Sequence, residues 1–495
     1  MNAYRALEER FARHSALVEA ANVLHWDMST MMPPGGVEAR AEQLAALRRV
    51  GHDLLVDPAT GEWLEAAAAE TGLDDWQRAN LREMRRMWSH ASALEGPLVE
   101  ALTKACAAAE TVWRQARPAN DFKAVSALLD GVLRLVREVG QAKAARLGGT
   151  AYDALLDEFE PGGRADLIDP VFDDLAAFLP DFLERVLTKQ AAEGPPLSLD
   201  GPFPREAQQD VSRQLMCALG FDFTHGRLDE SAHPFCGGVP EDVRITTRYD
   251  EADFTQGLMA VLHETGHALY ERALPARWRR QPVGLARGMS IHESQSLLIE
   301  MQACRSREFL AFVAPRLRAA FGRSGPAWSA ENLYRHYTRV ERGFIRVEAD
   351  EVTYPAHVIL RYRLERAMIA GDIEVADLPL AWREGMVELL GVAPPDDRQG
   401  CLQDIHWYDG AWGYFPTYTL GAMTAAQLFD AARRTIGDLP QALERGDFRP
   451  FIDWLGQAIH GQGSRLEAGA LVEAATGRAL DPGVFKAHLE RRYLI

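Results

Sequence analysis

The sequence predicts a mainly α-helical fold with one small antiparallel β-sheet. Apolar residues recur at helical spacing over most of the chain, and one short segment alternates apolar and polar residues instead. The segments that are rich in Ala, Leu, Glu and Arg, all good helix formers, are residues 37–50, 77–89, 98–115, 122–147 and 171–190. These observations predict a helical body, and they leave room for only a small sheet.

The helical pattern is interrupted by short Pro- and Gly-rich stretches. They lie at residues 31–36, 160–163, 194–204 and 392–395, and none is long or simple enough to be an interdomain linker. The chain also lacks a repeat of fixed period. We therefore expect a single unit over residues 1–495.

The alternating segment is residues 242–249, Asp-Val-Arg-Ile-Thr-Thr-Arg-Tyr, which includes several β-branched residues. Residues 233–240 before it have the Pro and Gly content of a loop. The predicted strand lies shortly before the motif at residues 263–267, so we expect the sheet to lie next to that motif.

Composition excludes several classes of protein. Of the 495 residues 47% are hydrophobic and 25% are charged, which is typical of a globular protein. The formal net charge of −17 argues against a nucleic-acid partner, since phosphate binding needs a basic surface. That charge could attract basic ligands, although acidic balance is more often a solubility feature.

The cysteines and the hydropathy pattern indicate where in the cell the protein is located. Five widely spaced cysteines without a Cys-x-x-Cys pair indicate neither a disulfide framework nor a thiolate zinc site. The first ten residues include acidic and basic ones where a secretion signal would be apolar, and no run of about 18 apolar residues suggests a membrane span. We expect a cytoplasmic protein that does not enter a membrane.

The motif His263-Glu264-Thr265-Gly266-His267 lies within a predicted helix that begins at Asp253 and ends near Arg272. Asp253 and Gln256 could form a capping box at its start. His263 and His267 are four residues apart and so share one helix face, where both imidazoles can reach one ion. Glu264 is rotated by about 100° from His263, so it can approach a water at the metal without binding the metal.

The motif is specific but not sufficient. A His-Glu-x-x-His match arises in a random chain of this length with a chance of roughly one per cent, and two helical histidines can simply be hydrogen-bonded core residues. Its helix, the preceding strand and a downstream acidic candidate together favour a metal site over a core role.

That candidate is Glu293, on a second predicted helix that continues past Met301. A catalytic zinc site needs three protein ligands and an open position. Alone, Glu293 would be interpreted as a solvent-facing acid, but His292, Ser294 and Gln295 beside it indicate a polar, buried setting. No third histidine follows at the His-x-x-Gly-x-x-His spacing, which leaves a His-His-Glu site.

Glu300 lies seven residues after Glu293, nearly on the same helix face. It could orient a metal-binding histidine, as outer carboxylates commonly do. A plain surface acid is an equally good interpretation.

Together these segments resemble the carboxypeptidase Taq family of metallocarboxypeptidases. The segments that carry the resemblance are residues 25–40, 233–235, 242–246, 263–267, 292–295, 345–351 and 400–407. They occur in order across most of the chain. The residues themselves predict only a metallohydrolase, and exopeptidase activity follows from the resemblance.

The resemblance implies a large helical body with two lobes that flank a deep substrate groove. It implies a homodimer that removes single amino acids from the carboxy termini of peptides, with broad specificity. The implied cofactor is one Zn²⁺ per chain, with Co²⁺ as a substitute. The partners are then peptides with a free carboxy terminus, and not nucleic acids or membranes.

Glu264 is the expected general base, which takes a proton from the attacking water and passes one to the departing amine. Tyr418, by similarity to related helical peptidases, is the candidate donor to the developing oxyanion, and a buried aromatic role is the alternative. His406 could bind the substrate backbone or stabilise charge, and a helix-packing role is the alternative.

Three further residues are candidates for substrate binding. His233 is expected to contact substrate near the scissile bond, and the strand at residues 242–249 could offer an edge to an extended peptide. Arg346, then Arg244, are the candidates to pair with the terminal carboxylate. A structural ion pair competes for both arginines, and for Arg244 it is the stronger interpretation.

Two other functional classes remain open. An endopeptidase or dipeptidase on the same zinc scaffold is the closer alternative, and analysis of products distinguishes it. A catalytically inactive peptide-binding protein is the other, but it would have little reason to keep Glu264, which is not a ligand.

Overall fold

The computed structural model describes residues 2–495 and is 70% helical, which confirms the predicted fold class. Met1, the first residue of the predicted unit, lies outside the described residues. The α-helices are α1 (Ala3–Thr30), α2 (Val37–Val56), α3 (Pro58–Ala68), α4 (Asp75–Ser92), α5 (Gly96–Ala119), α6 (Phe122–Leu147), α7 (Ala151–Phe159), α8 (Ala165–Glu193), α9 (Arg205–Leu219), α10 (Phe254–Arg272), α11 (Met289–Leu297), α12 (Arg307–Phe321), α13 (Ala330–Tyr337), α14 (Tyr354–Ala370), α15 (Leu378–Leu390), α16 (Pro416–Thr435), α17 (Leu439–Arg445), α18 (Arg449–Ala458), α19 (Ala468–Thr476) and α20 (Pro482–Tyr493). The strands are β1 (Gly226–Glu230), β2 (Phe235–Val239) and β3 (Asp242–Thr247).

Each of the five predicted helical segments lies within an observed helix. Local signals define several boundaries. Asp74 and Gln77 form a capping box at the start of α4, and Asn120 ends α5 in the left-handed conformation. Apolar periodicity therefore located the helices, while polar side chains at the ends determine where they begin and end.

The sheet is mixed, so the prediction of an antiparallel sheet is wrong. Its order is β1-β3-β2, with β1 parallel to β3 and β2 antiparallel to β3. The chain follows β1, crosses over to β2, and then returns between them as β3. Periodicity along one strand carries no information about the direction of its neighbours.

The sheet packs between α1 and α10. On one face, the Trp26 ring of α1 lies under the guanidinium groups of Arg227 and Arg244, at 5.0 and 4.5 Å from ring centroid to Cζ. On the other face, Val243 and Ile245 pack in an apolar cluster that includes Val261 of α10. The sheet thereby sets the distance between α1 and α10.

Two large apolar cores fill the molecule. One lies mainly among α5, α6, α8, α14 and α15, and the other mainly among α9–α13 and α16–α19. Helix α16 contributes to both, with Met423 in the first and Leu428 in the second. The middle of α16 therefore lies where the two cores meet.

Within residues 2–495, no helix is both long and apolar enough to cross a membrane. The five cysteines are all unpaired.

Candidate metal centre

Helix α10 positions the first part of the site. Asp253 caps it by accepting a hydrogen bond from the backbone N–H of Thr255, while Gln256 does not complete the predicted capping box. The imidazoles of His263 and His267 project from one face, with ring centroids 5.0 Å apart. Glu264 is buried beside them.

Helix α11 brings Glu293 to the two histidines. Its Oε2 lies 3.9 Å from His263 Nε2 and 3.5 Å from His267 Nε2. One ligand atom from each of the three residues lies within 4.8 Å of the other two. We call His263, Glu264, His267 and Glu293 the metal cluster.

Two glycines allow the helices to approach this closely. A Cβ at Gly266 would lie 2.5 Å from the carbonyl oxygen of Gln295 on α11, and a Cβ at Gly421 on α16 would lie 2.9 Å from Cβ of Glu293. Any larger residue would push α11 away, so both positions require glycine. This role was not predicted from the sequence, although Gly266 is part of the motif.

Four acidic side chains make this region negative. Glu264, Glu271, Glu293 and Glu300 surround the histidines, and Arg305 is the cation paired with one of them. Burial and the nearby Glu293 carboxylate raise the pKa of Glu264 to about 7. Burial opposes protonation of His263, but the carboxylates of Glu300, Glu293 and Glu264 outweigh it and raise the pKa of His263 to about 10.

Each histidine of the cluster is held through its other ring nitrogen. His263 Nδ1 lies 3.0 Å from Oε2 of Glu300, which also pairs with Arg305. The π-helical segment Leu298–Ala303 carries Glu300 directly after α11. Of the two interpretations of Glu300, the geometry favours an orienting residue over a surface acid.

His267 is held by a different arrangement. Its Nδ1 lies 2.7 Å from Nδ1 of His292, and His292 Nε2 lies 2.8 Å from Oε1 of Glu271. Sequence analysis assigned no role to Glu271. The signal was present, because Glu271 follows His267 by four residues on the same face of α10.

A second cluster lies next to the first. Asp404 Oδ1 accepts from Arg346 Nε and Nη2 at 3.0 and 2.8 Å, and its Oδ2 accepts from Arg361 Nε at 2.6 Å. All three side chains are buried. Burial opposes the charge on Asp404, but the two guanidinium groups outweigh it and hold the pKa of Asp404 far below its usual range. Two cations and one anion leave a net charge of +1.

Tyr418 and His406 complete this second set, which we call the arginine cluster (Arg346, Arg361, Asp404, His406 and Tyr418). His406 Nε2 lies 3.2 Å from the Tyr418 hydroxyl oxygen, and the Arg346 guanidinium lies 4.8 Å from the Tyr418 ring centroid. Burial lowers the pKa of His406 to about 4 and raises that of Tyr418 to about 12, so both are neutral at pH 7.

Tyr418 also connects the arginine cluster to the metal cluster. It lies three residues before Gly421, almost one turn of α16 away, and Gly421 contacts Glu293. The Glu293 carboxylate contributes to the raised pKa of Tyr418, after burial itself.

The segment that carries Asp404 and His406 is fixed by a buried acid that the sequence analysis missed. Glu365 of α14 accepts hydrogen bonds from the Tyr152 hydroxyl, from Trp407 Nε1 at 3.2 Å and from the Gly413 backbone N–H at 3.4 Å. It has no ion-pair partner among the described residues. Burial raises the pKa of Glu365 to about 7.

The remaining predicted residues lie further out. His233 is exposed on the loop before β2, where it lines an open pocket of about 600 Å³ together with Ile345, the neighbour of Arg346. Arg244 forms an ion pair with Asp242 besides its contact with Trp26, and so has a structural partner.

The prediction that residues 242–249 offer a free edge is wrong. β3 ends at Thr247 and is the central strand, so its neighbours occupy both of its edges. β2 is the edge strand on the side of the sheet near the site, because Cys236 within it packs against the apolar cluster that contains Val261 and Ala268 of α10. Burial raises the pKa of the Cys236 thiol, and the nearby Glu264 and Glu271 carboxylates add to the shift.

The metal cluster fits a divalent cation. Two imidazoles and one carboxylate are the three-ligand set of catalytic zinc sites. The acidic excess around them, in a buried setting, needs a cation for balance. His263, His267 and Glu293 would hold the ion, and Glu264 stands beside them.

Comparison with known proteins agrees with this geometry. The model of the carboxypeptidase Taq (M32) metallopeptidases matches residues 6–493. The chain is 41% identical to thermostable carboxypeptidase 1 of Thermus thermophilus, over 99% of this chain and 98% of that protein. It is 33% identical to carboxypeptidase 1 of Bacillus subtilis, over 97% and 96%.

Solved structures give the same result. Metallocarboxypeptidase 1 of Trypanosoma cruzi superposes with a TM-score of 0.98 at 41% identity, over 100% of this chain and 99% of that one. The carboxypeptidase of Pyrococcus furiosus superposes with a TM-score of 0.94 at 32% identity, over 100% and 99%.

Proposed function

Because the chain belongs to the carboxypeptidase Taq (M32) family of metallopeptidases, we propose that it is a zinc-dependent carboxypeptidase. It removes single amino acids from the carboxy terminus of peptides, with broad specificity for the residue released. One observation carries this proposal: a His-His-Glu cluster suited to a metal adjoins a buried arginine cluster of net positive charge. The first suits hydrolysis, and the second suits a free carboxylate.

The metal is one Zn²⁺ per chain, with Co²⁺ as a substitute, held by His263, His267 and Glu293. Zinc in such a site acts as a Lewis acid and lowers the pKa of water to about 7. Glu300 and the pair His292 and Glu271 orient the two imidazoles.

Glu264 acts as the general base. Its carboxylate takes the proton of the attacking water and then delivers a proton to the amine that leaves. Burial supports this role, since a carboxyl in a dry site binds a proton more tightly than one in water.

Tyr418 and His406 act on the carbonyl oxygen. The phenol stays protonated, since its pKa is about 12, and it donates to the oxyanion as charge develops. His406 is neutral and holds the Tyr418 oxygen through Nε2. It thereby orients the phenol.

Arg346 binds the terminal carboxylate of the substrate, and Arg244 is the second candidate. The pair of Arg346 and Arg361 exceeds the single charge of Asp404, so an entering carboxylate neutralises the surplus. Arg244 already has Asp242 as a partner, which favours Arg346. His233, on the same side as Ile345, contacts the residue next to the scissile bond.

The free edge of β2 binds the backbone of the peptide. An extended peptide can add to an exposed strand through main-chain hydrogen bonds. A peptide added there continues the sheet into the space between α1 and α10, so the side of α10 with Glu264 and His267 faces its scissile bond.

The wider setting completes the proposal. Residues 1–495 form one catalytic unit with two lobes, and two chains form a homodimer. The protein works in the cytoplasm, where unpaired cysteines stay reduced.

Time-resolved mass spectrometry of a ten-residue peptide tests the proposed activity, with the zinc-loaded protein and a peptide blocked at its amino terminus. The expected products form a ladder that loses one residue at a time from the carboxy end. Internal cuts as first products would indicate an endopeptidase, and steps of two residues a dipeptidase. An intact peptide would indicate a peptide-binding protein.

A further inference from the structure

We propose that the cavity between α1 and β2 is a specificity pocket for the substrate. It takes the apolar side chain of the second or third residue upstream of the scissile bond. This inference rests on the proposed carboxypeptidase function and assigns a role to residues outside both clusters.

The cavity has a volume of about 390 Å³. Three elements line it: α1 contributes Phe11 and Val18, the segment before α11 contributes Leu285, and the end of β2 contributes Val239. Ligand pockets typically measure roughly 300–1,000 Å³, so a Leu or Phe side chain fits.

The distance between the cavity and the metal cluster follows from residue positions along α10. Glu264, His267 and Glu271 form one stripe on α10, at spacings of three and four residues, and Glu271 lines the cavity. Glu271 lies one turn beyond His267, about 6 Å along the helix axis. An extended peptide advances about 3.3 Å per residue, so two residues span that turn.

The loop before β2 indicates the direction in which a bound peptide runs. His233 precedes the strand and shares a pocket with Ile345, the neighbour of Arg346, whereas residues 236–240 line the cavity. Arg346 and the cavity therefore lie toward opposite ends of the segment from His233 to Pro240. A peptide with its terminal carboxylate at Arg346 directs its upstream residues toward the cavity.

The surroundings of the cavity favour an apolar side chain. The two arginines at its rim already have partners, since Arg280 pairs with Glu19 at 3.1 Å and Arg279 pairs with Glu241 at 2.6 Å. No rim arginine is left to select an acidic side chain. Val18 and Leu285 remain 43% and 44% exposed, and this apolar surface would be covered by a bound side chain.

The test uses two sets of amino-terminally acetylated peptides of five residues. One set varies only the second residue upstream of the scissile bond, and the other only the third, among Gly, Leu, Glu and Lys. Burial of a leucine side chain contributes about 1.5–3 kcal/mol. We expect kcat/KM to be at least tenfold higher for Leu than for Gly, Glu or Lys at one of the two positions.

Variants that fill the cavity should remove that preference. Val18→Trp and Leu285→Trp lie on different lining elements, so one variant still tests the proposal if the other fails to fold. In either, the Leu to Gly ratio should fall to about twofold or less. Both variants should hydrolyse a blocked dipeptide, which is too short to reach the cavity, at the wild-type rate.

The control is Val50→Trp, at a valine on α2 that is 50% exposed and does not line the cavity. The inference fails if no position prefers Leu, or if the ratio in both filled variants equals that of Val50→Trp. The released residue is identified in the same samples. If it does not come from the carboxy end, the proposed function fails, separately from the outcome at the cavity.

Discussion

The metal cluster and the arginine cluster are neighbours, yet they are built in opposite ways. The metal cluster and its orienting residues come from α10, α11 and the π-helical turn after it, within residues 263–300. The arginine cluster combines residues 346, 361, 404, 406 and 418, which come from the turn at Arg346, from α14, from the segment that carries Asp404 and His406, and from α16. The metal cluster carries an acidic excess, and the arginine cluster a basic one. This difference in charge supports the proposal that the metal cluster binds a cation and the arginine cluster an anion.

Buried acids in the two regions also differ in how they are balanced. Glu293 has His267 and His263 beside it, and they hold its pKa down against the effect of burial. Glu365, which fixes the segment with Asp404 and His406, has only neutral donors, so burial raises its pKa to about 7. The histidines therefore keep Glu293 charged, whereas burial raises the pKa of Glu365, as it also raises that of Glu264 in the metal cluster.

Loss of the general base should give the largest effect. In Glu264→Gln we expect kcat to fall by roughly 10³- to 10⁴-fold, as for a lost proton-transfer group. Bound zinc should be unchanged, because Glu264 is not one of the three presumed ligands. Zinc content by atomic absorption and kcat with a blocked dipeptide check this, with the exposed Glu62→Gln as control. Near wild-type turnover would remove Glu264 from the mechanism.

Loss of the Glu293 carboxylate should weaken zinc binding more than loss of the Glu300 carboxylate. We expect Glu293→Ala to lose zinc during dialysis against a chelator, since two histidines leave the metal short of three ligands. Glu300→Ala should retain zinc more weakly than wild type, by about 10- to 100-fold in affinity. If Glu293→Ala retains zinc as well as the parent does, another residue is the third ligand.

These residues also mark how far the sequence could predict the site. Helical spacing placed His263 and His267 on one face, the polar neighbours of Glu293 indicated a buried third ligand, and the structure brings the three together. Spacing also placed Glu300 nearly on the face of Glu293, but it did not decide between an orienting role and a surface acid. Helix positions were predictable from the spacing of apolar residues.

The parts of the site and sheet that were not predicted depend on contacts between residues distant in sequence. The pairing of Asp404 with both arginines joins residues 43 and 58 positions apart, and no spacing rule links them. The hydrogen bond from Trp407 Nε1 to Glu365 likewise joins residues that no spacing rule links. The edge strand was assigned wrongly because alternation identifies a strand but not its neighbours.

The buried Glu365 predicts a pH effect on stability. Its pKa is raised from 4.5 to about 7 in the folded chain, so the folded state binds this proton more tightly than the unfolded state. That contribution is fully present below pH 4.5 and is lost as pH rises through 7. It amounts to about 3 kcal/mol for a shift of this size.

Glu365→Gln should remove this dependence. Relative to wild type, the variant should gain up to about 3 kcal/mol in free energy of unfolding between pH 5 and pH 8. Urea unfolding at four pH values checks it, with Glu62→Gln as the control for loss of a surface carboxylate. A difference that does not change with pH would mean that Glu365 is charged throughout.

Tyr418→Phe tests whether the Tyr418 hydroxyl, which lies between the two clusters, donates to the oxyanion. Loss of one donor to an oxyanion lowers kcat by roughly 10²- to 10³-fold, and we expect the lower end with KM and zinc content unchanged. Tyr414→Phe, whose ring contacts Tyr418, is the matched control and should have a smaller effect. A larger effect on KM than on kcat would assign Tyr418 to substrate binding.

The central claim is that the metal cluster performs the chemistry and the arginine cluster selects the carboxy terminus. The ratio of kcat/KM for a free-acid peptide to that for its amide tests this most directly, in wild type, Arg346→Lys and Glu264→Asp. A charge-assisted hydrogen bond contributes about 1.5–3 kcal/mol, so we expect a ratio of at least tenfold in wild type. It should fall several-fold in Arg346→Lys at constant zinc content, and stay unchanged in Glu264→Asp despite slower turnover. A ratio near one in wild type, or a fall only in Glu264→Asp, would contradict this division of roles.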